Sequence, residues 1–259
     1  MIEYSFSMAD LEYFLLILCR VSCLIYIAPF YGTTNTPGRI KIGLSIFVAF
    51  LLYQVLPPVH LEYSTILGYA AMVLKEALTG LLMGYGCNIC ITILSFSGRI
   101  IDMETGLSMA SLIDPLTKEQ ASISGMLYQY AVMLILMITG MYQYIMKALA
   151  ESFTLIPVNG AIFRPDSLMK AMVGFMTDYI FIAFRICLPI FTVMIMLNAI
   201  LGILAKVAPQ MNMFAVGIQL KVLTGLIVLF VTTAMLPGMS ELIFTEMKTM
   251  MVAFVEAMM

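Results

Sequence analysis

The sequence predicts an all-α integral membrane protein with five to seven apolar helices arranged in hairpins. Of the 259 residues, 62% are hydrophobic and only 11% are charged, whereas soluble domains carry roughly 25% charged residues. The mean hydropathy is +1.03. The apolar residues form long runs separated by short stretches rich in Gly, Pro and polar residues, which is typical of membrane helices joined by turns.

Six apolar runs are the candidate helices. They cover residues 13–30, 42–56, 66–96, 123–146, 179–205 and 214–236. The second run is short and the third is long for a straight helix across a bilayer, which needs roughly 20 residues. Turn signals separate the runs, among them Pro37-Gly38, Pro57-Pro58 and Asn159-Gly160.

Residues 239–259 are expected to form an amphipathic helix. Their apolar side chains recur at helical spacing, at Ile243, Met247, Met250, Phe254 and Met258. The segment has more acids than bases, so anionic lipid headgroups would not attract it. We therefore expect its apolar stripe to lie on a partner protein.

Five charged residues lie inside the apolar runs, where an ionised group is costly and is expected to face protein or water. They are Arg20, Lys75, Glu76, Arg185 and Lys221. Together with the uneven lengths of the runs, they indicate helices packed against other subunits. In the third run, the Gly80-x-x-x-Gly84 spacing would let another helix approach closely, so we interpret both glycines as packing positions.

The composition argues against several functions. The net charge of −2 leaves no basic surface for a nucleic acid, and no phosphate-binding loop motif is present. Cys87-x-x-Cys90 has no second pair, and the single histidine, His60, lies in another segment. Gly106-Leu-Ser108 resembles a nucleophile turn, but a serine nucleophile needs a base within reach. We expect no cofactor, no metal and no enzymatic activity.

The most polar stretch, residues 97–122, lies between two apolar runs. Irregular polar backbone at membrane depth is tolerated only where protein or a water-filled cavity surrounds it. We therefore interpret Arg99, Asp102 and Glu104 as anchors of a helix end, and residues 106–122 as a loop that faces a cavity. The candidate loop residues are Gly106, Leu107, Ser108, Met109, Ala110, Ser111, Asp114 and Pro115.

Three segments carry a family resemblance. They are GRIIDMETGLSMASLIDP at 98–115, LNAILGILAKVAPQMNMFAVGIQLKVLTGL at 197–226, and PFYG followed by PGRIKIGL within 29–44. In this order they resemble the FliR family of flagellar export-gate proteins, whose injectisome counterpart is SctT. The Ala208-Pro209-Gln210-x-Asn212-x-Phe214 string is the most specific part of the match.

The resemblance implies a non-enzymatic subunit of the type III protein export apparatus. It would lie in the bacterial cytoplasmic (inner) membrane at the flagellar basal body, partly on the periplasmic side. Its partners would be FliP-like, FliQ-like and FlhB-like subunits, and its substrates unfolded flagellar proteins. Residues 106–122 would project into the lumen of the gate and act as a plug.

The resemblance also implies a division of the chain. A FliP-like helical part would cover residues 1–178, a FliQ-like helical hairpin 179–238, and the amphipathic helix 239–259. Anchoring of helix ends or contacts with other subunits are expected at Arg99, Asp102, Glu104, Asp178, Arg185, Lys206, Pro209, Gln210, Asn212 and Lys221.

Two other interpretations stay open. A stand-alone transporter or channel would use a charged pathway made of Lys75, Glu76, Asp178 and Arg185. An injectisome subunit would share the gate architecture but export virulence proteins instead of flagellar ones.

Overall fold

The computed structural model describes residues 8–33, 36–57, 61, 63, 65–110, 122–210 and 212–259. Within these ranges the chain forms eight α-helices. They are α1 (Met8–Ile27), α2 (Gly38–Val55), α3 (Ile66–Thr105), α4 (Ile123–Ile138), α5 (Met141–Leu155), α6 (Pro165–Val207), α7 (Met213–Thr232) and α8 (Leu236–Ala257). Short 3-10 turns cover Leu107–Ala110 and Thr233–Met235.

Several of these helices are long and apolar enough to cross a membrane. In the described part of the chain there are four such stretches: Gly38–Val55, Ile66–Thr105, Pro165–Val207 and Ala215–Ala257. The last joins α7 and α8 through the 3-10 turn, and α4 with α5 makes a fifth if the two count as one broken span. The predicted fold class, an all-α membrane protein with apolar helices, is confirmed.

The helix boundaries differ from the apolar runs in two places. α3 continues past residue 96 to Thr105. Its polar residues are accommodated there because the hydroxyls of Ser97 and Thr105 donate to the carbonyls of Leu94 and Ile101 within the helix, each at 2.9 Å. α6 begins at Pro165, well before the run that starts at 179. Proline suits a first helical position because its missing N–H would have no partner there.

The chain forms two compact units. The first comprises Met1–Ile89, Gly140–Gly174 and Glu246–Met259, and the second comprises Cys90–Thr139 and Phe175–Thr245. Both units therefore draw on early and late parts of the sequence. The division expected after residue 178 falls inside α6, which passes through it without a break, and that division stays a prediction from the resemblance.

In the first unit, two glycines let α1 and α3 approach each other closely. A Cβ atom at Gly80 would lie less than 3.0 Å from the carbonyl oxygen of Arg20, and one at Gly84 would lie 3.1 Å from that of Leu24. The Gly80-x-x-x-Gly84 pair of the sequence thus lies at the contact between these helices. This close approach of α1 and α3 brings the side chains of Arg20 and Glu76 into contact.

Arg20 and Glu76 form a fully buried ion pair. Nε of Arg20 donates to Oε2 of Glu76 at 2.6 Å, and neither side chain has any exposed surface. The guanidinium stacks on the ring of Phe153, with 4.2 Å from Cζ to the ring centroid. A cation–π contact of this kind is strongest where water is excluded.

The same pair fixes the end of α5 and the turn that follows. Nη1 of Arg20 donates to the carbonyl oxygens of Ile156 at 3.0 Å and Ser152 at 3.3 Å, where a helix C-terminus favours a positive charge. Oε1 of Glu76 accepts the backbone N–H of Asn159 at 2.8 Å, and Asn159 has a positive φ of 67°. Within this pair, Nη2 of Arg20 is the buried nitrogen that has no hydrogen-bond partner among the described residues.

The apolar stripe of the C-terminal helix is buried within its own chain. Ile243, Met247, Met250, Phe254 and Met258 are all buried. The ring of Phe254 lies directly over Gly86, which offers a groove in α3 because it lacks a side chain, and the carbonyl of Met258 accepts the N–H of Ile162 at 2.9 Å. The expectation that this stripe lies on a partner protein is therefore wrong.

Removing one member of the buried pair is expected to destabilise the first unit strongly. Glu76→Leu leaves the Arg20 cation buried without its counter-charge, which costs about 3–5 kcal/mol of unfolding free energy. The double variant Arg20→Met/Glu76→Leu removes both charges and is expected to recover part of that loss. Thermal melting of the detergent-solubilised protein, co-expressed with the FliP-like and FliQ-like subunits that the resemblance implies, measures both effects.

The exposed pair of Lys147 and Glu151, 3.7 Å apart, is the matched control. Glu151→Gln is expected to leave the melting temperature unchanged, because exposed pairs contribute little. A Glu76→Leu variant as stable as the unmodified chain would show that the buried pair does not hold α1, α3 and α5 together.

Candidate functional site

A buried carboxylate joins the two helix ends that flank residues 106–122. Asp102 lies in the last turn of α3 and is only 3% exposed. Its Oδ2 accepts the hydroxyl of Ser122 at 2.8 Å, and its Oδ1 accepts the backbone N–H of Ser124 at 3.2 Å. We call Asp102, Ser122 and Ser124 the Asp102 clamp.

The clamp coincides with the N-terminal cap of α4. Oγ of Ser122 accepts the N–H of Gly125 at 2.9 Å while its own hydrogen is donated to Asp102. A carboxylate at a helix N-terminus is favoured by the free N–H groups and by the helix dipole. One hydroxyl therefore caps α4 and connects it to the end of α3.

Below the clamp, α3 and α4 touch backbone to backbone. A Cβ atom at Gly98 would lie less than 3.0 Å from the backbone nitrogen and Cα of Gly125. Nearby, Oγ of Ser95 donates to Oε1 of Gln129 at 2.9 Å. The Ser-Gly pairs at 97–98 and 124–125 are the sequence signal for this crossing, which the apolar runs alone did not reveal.

Gly106 ends α3 and begins the candidate loop. Its φ of 81° lies in the left-handed region, the usual conformation just after a helix and one that glycine adopts without strain. In the 3-10 turn that follows, Leu107 is buried, whereas Ser108 and Met109 are exposed, Met109 to 74%. The remaining candidate loop residues, Ser111, Asp114 and Pro115, lie outside the described residues.

α7 contacts both of these helix ends. A Cβ atom at Gly225 would lie less than 3.0 Å from the side chain of Thr105, the last residue of α3. The hydroxyls of Tyr128 on α4 and Thr232 on α7 share a hydrogen bond of 3.0 Å, and both residues are buried. The end of α3, the first turns of α4 and the second half of α7 thus pack together, and we call this packed region the base.

The other residues expected to anchor helix ends or contact subunits differ in their burial. Asn212 caps α7, since its Oδ1 accepts the N–H of Ala215 at 3.4 Å. The side chains of Glu104 and Lys221 are half-buried. The exposed members of the set are Arg99, Asp178, Arg185, Lys206, Pro209 and Gln210.

The base can hold and orient a segment of chain. Its polar groups are a carboxylate, hydroxyls and backbone amides whose hydrogen bonds stay within the chain, as in the clamp. Within the described ranges, no group of three or more His, Cys, Asp or Glu side chains could hold a metal ion. Ser108 is exposed, and His60 lies outside the described residues.

A family model described as "Bacterial export proteins, family 1" matches residues 11–247. The match includes α3, the Asp102 clamp, the base and nearly all of α1. The chain belongs to this family of bacterial export proteins. Its similar relatives carry the name of the FliR family, to which the motifs at 98–115 and 197–226 pointed.

Curated relatives match over most of their own length. The flagellar biosynthetic protein FliR of Bacillus subtilis (strain 168) is 28% identical over 221 residues, which cover 84% of this chain and 85% of the relative. FliR of Aquifex aeolicus (strain VF5) is 26% identical, with 82% of each chain covered. FliR of Escherichia coli (strain K12) is 23% identical, with 88% of this chain and 87% of the relative covered.

A methyl group at the crossing of α3 and α4 is expected to disrupt the base. Gly98→Ala places a Cβ atom against the backbone of Gly125, which cannot move as a side chain can, so the helices must separate. We expect a lower melting temperature and less folded protein. Gly202→Ala in α6 is the control, because nothing lies within 4 Å of its added Cβ atom and alanine favours a helix by up to about 1 kcal/mol over glycine. Equal stability of the two variants would contradict the close crossing.

Proposed function

We propose that this chain is a core subunit of the flagellar type III protein export gate in the bacterial inner membrane. It assembles with FliP-like, FliQ-like and FlhB-like subunits and passes unfolded flagellar proteins. The observation that carries the proposal is the family match over residues 11–247, together with relatives named flagellar biosynthetic protein FliR. These names also favour flagellar over injectisome substrates.

The outer surfaces of α6 and α7 support an assembly with other subunits. Both helices expose large apolar side chains, namely Phe181, Phe184, Leu188, Ile195, Ile203, Leu223, Ile227 and Phe230. Such a surface needs lipid or partner helices to cover it. The exposed charges of Asp178, Arg185 and Lys206 on α6 are costly in lipid, so we assign parts of this surface to polar contacts with other subunits, some of them on the periplasmic side of the membrane.

We assign residues 106–122 to the plug of the gate. Both ends of the segment are attached to the packed base, one through Gly106 and the end of α3, the other through Ser122 at the start of α4. A segment held in this way obstructs a lumen sterically, without covalent chemistry. The exposed side chains of Ser108 and Met109 lie on the segment where it leaves the base.

A charged transport pathway through the chain alone has less support. Both carboxylate oxygens of Glu76 are engaged, by Arg20 and by the N–H of Asn159, so Glu76 serves as a structural group. Asp178 and Arg185 are exposed on α6, where a partner can reach them.

Deleting residues 108–114 is expected to open the gate. In cells that carry the partner subunits, the variant should show a higher leak of small ions than the unmodified complex, because the obstruction is shortened. Co-purification with the FliP-like subunit provides the control that the complex still assembles. An assembled variant with unchanged conductance and unchanged motility would contradict the plug assignment.

The chain is expected to depend on its partners for stability. Expressed alone, it should be degraded or aggregate, and co-expression with FliP-like and FliQ-like subunits should restore it, because they cover the exposed faces of α6 and α7. Quantitative immunoblotting of membrane fractions measures the difference. A stable chain that transports ions by itself, and loses that transport in Asp178→Asn, would favour the stand-alone transporter.

A further inference from the structure

We propose that the outward face of α2 is a lipid-binding surface, covered in the cell by the acyl chains of membrane phospholipids. The inference rests on the membrane location that belongs to the proposed function. α2 packs against α1 with one side and turns its other side outward. The exposed apolar side chains of this lipid face are Ile42, Ile46, Phe47, Phe50, Leu51 and Val55.

The polarity of α2 is the reverse of that of a helix on a soluble protein. Lys41 is only 8% exposed, and its Nζ donates to the carbonyl oxygen of Gly32 at 3.1 Å and lies 5.4 Å from the centre of the Tyr26 ring. The hydroxyl of Ser45 is also turned inward and donates to the carbonyl oxygen of Lys41 at 2.7 Å. Because water favours polar groups outside and apolar groups inside, the outward face of α2 requires an apolar cover.

The sizes of the side chains favour lipid over a partner helix as that cover. Helices that pack closely in a membrane meet through small residues. On α2 the small residues Ser45 and Ala49 are buried on the inward side, whereas the lipid face is made of large aliphatic and aromatic side chains. Gly43 is the exception, and a Cβ atom added there would meet nothing within 4 Å.

Polar residues mark the two ends of the lipid face. Arg39 and Gln54 are both exposed on the outward side, about 22 Å apart along the helix axis, and residues 42–57 contain no charged side chain. The hydrocarbon core is roughly 30 Å thick, and the long stem of an arginine lets its guanidinium reach the phosphate groups from within it. The charge pattern therefore fits one crossing of the hydrocarbon core, with Arg39 directed to the phosphates.

Aromatic side chains lie at the end of α2 that is opposite to Arg39. The ring of Tyr53 packs against those of Tyr13 and Phe14, each with 6.1 Å between the ring centroids. The hydroxyl of Tyr13 donates to the carbonyl oxygen of Pro57 at 3.1 Å. Tyrosines of this kind are enriched where a membrane meets water, which places the second interface at this end of the helix.

Tryptophan fluorescence can test the lipid face, because the chain contains no tryptophan. Phe47→Trp and Phe50→Trp probe the middle of the face, and Val55→Trp probes its end. Each variant is reconstituted as the full chain, in complex with tryptophan-free FliP-like and FliQ-like partners, in phosphatidylcholine liposomes. The acyl chains carry bromine, a quencher of tryptophan emission, either near the headgroup or near the terminal methyl group.

The quenching is expected to depend on depth. Bromine near the terminal methyl group should lower the emission of Phe47→Trp and Phe50→Trp roughly twofold, because both positions lie near the middle of the hydrocarbon core. Bromine near the headgroup should quench Val55→Trp more strongly than Phe47→Trp. Tyr53→Trp is the matched control, since it lies at the depth of Val55 but packs against α1, and it should be quenched less than Val55→Trp in either lipid.

The outcomes separate this inference from the proposed function. Equal emission of Phe47→Trp and Phe50→Trp in brominated and unbrominated lipid would overturn the lipid face, and a blue-shifted or red-shifted spectrum would then indicate a partner subunit or water as the cover. Stronger quenching of both variants by bromine near the headgroup would also overturn it, because α2 would lie on the membrane surface. So would equal quenching of Tyr53→Trp and Val55→Trp. If the chain does not co-purify with its partners, the proposed function fails, and quenching of the chain in the same liposomes still tests the lipid face.

Discussion

Two opposite charges, Arg20 and Glu76, are withdrawn completely from solvent in the first unit, and three helices depend on them. An isolated buried charge is costly enough that the chain must bring both charges together in one geometry. That requirement fixes the positions of α1 and α3, and the donors of Arg20 fix the end of α5. The close approach at Gly80 and Gly84 is the condition that makes the pair possible.

The second unit is organised by the same combination of small residues and a buried acid. Gly98 and Gly125 let α3 and α4 touch, and Asp102 then finds its donors on α4. In both units, glycine determines the distance between helices, and a carboxylate determines their register. Apolar burial alone would leave such register weakly defined, because many rotations of an apolar helix bury similar area.

The sequence predicted the helices well where hydropathy determines them and less well at their ends. The apolar runs located α1, α2 and α7, but α3 continues through a polar segment to Thr105, and α6 begins at Pro165, well before its apolar run. The amphipathic pattern of residues 239–259 predicted α8. That pattern did not predict that the ring of Phe254 would pack into a groove at Gly86 of the same chain, because the two positions are far apart in sequence.

Part of the candidate site could be predicted from the sequence. Asp102 stood out as an acid near the end of an apolar run, and Gly106 as a residue suited to a turn. The partners of Asp102 did not stand out, because Ser122 and Ser124 are common residues whose role depends on the helices crossing first. Residues 111–121 lie outside the described part of the chain, so the plug assignment still rests on the resemblance and on the two anchored ends.

The lengths of α3 and α6 bear on how the cell produces this protein. Helices of 40 and 43 residues extend about 60 Å, twice the roughly 30 Å of a hydrocarbon core. A helix of that length crosses lipid only if it tilts or bends, or if part of it lies outside the hydrocarbon core. On the proposed function, copies without partners would be degraded by membrane proteases, and the number of gates would follow the scarcest subunit rather than the rate at which this chain is synthesised.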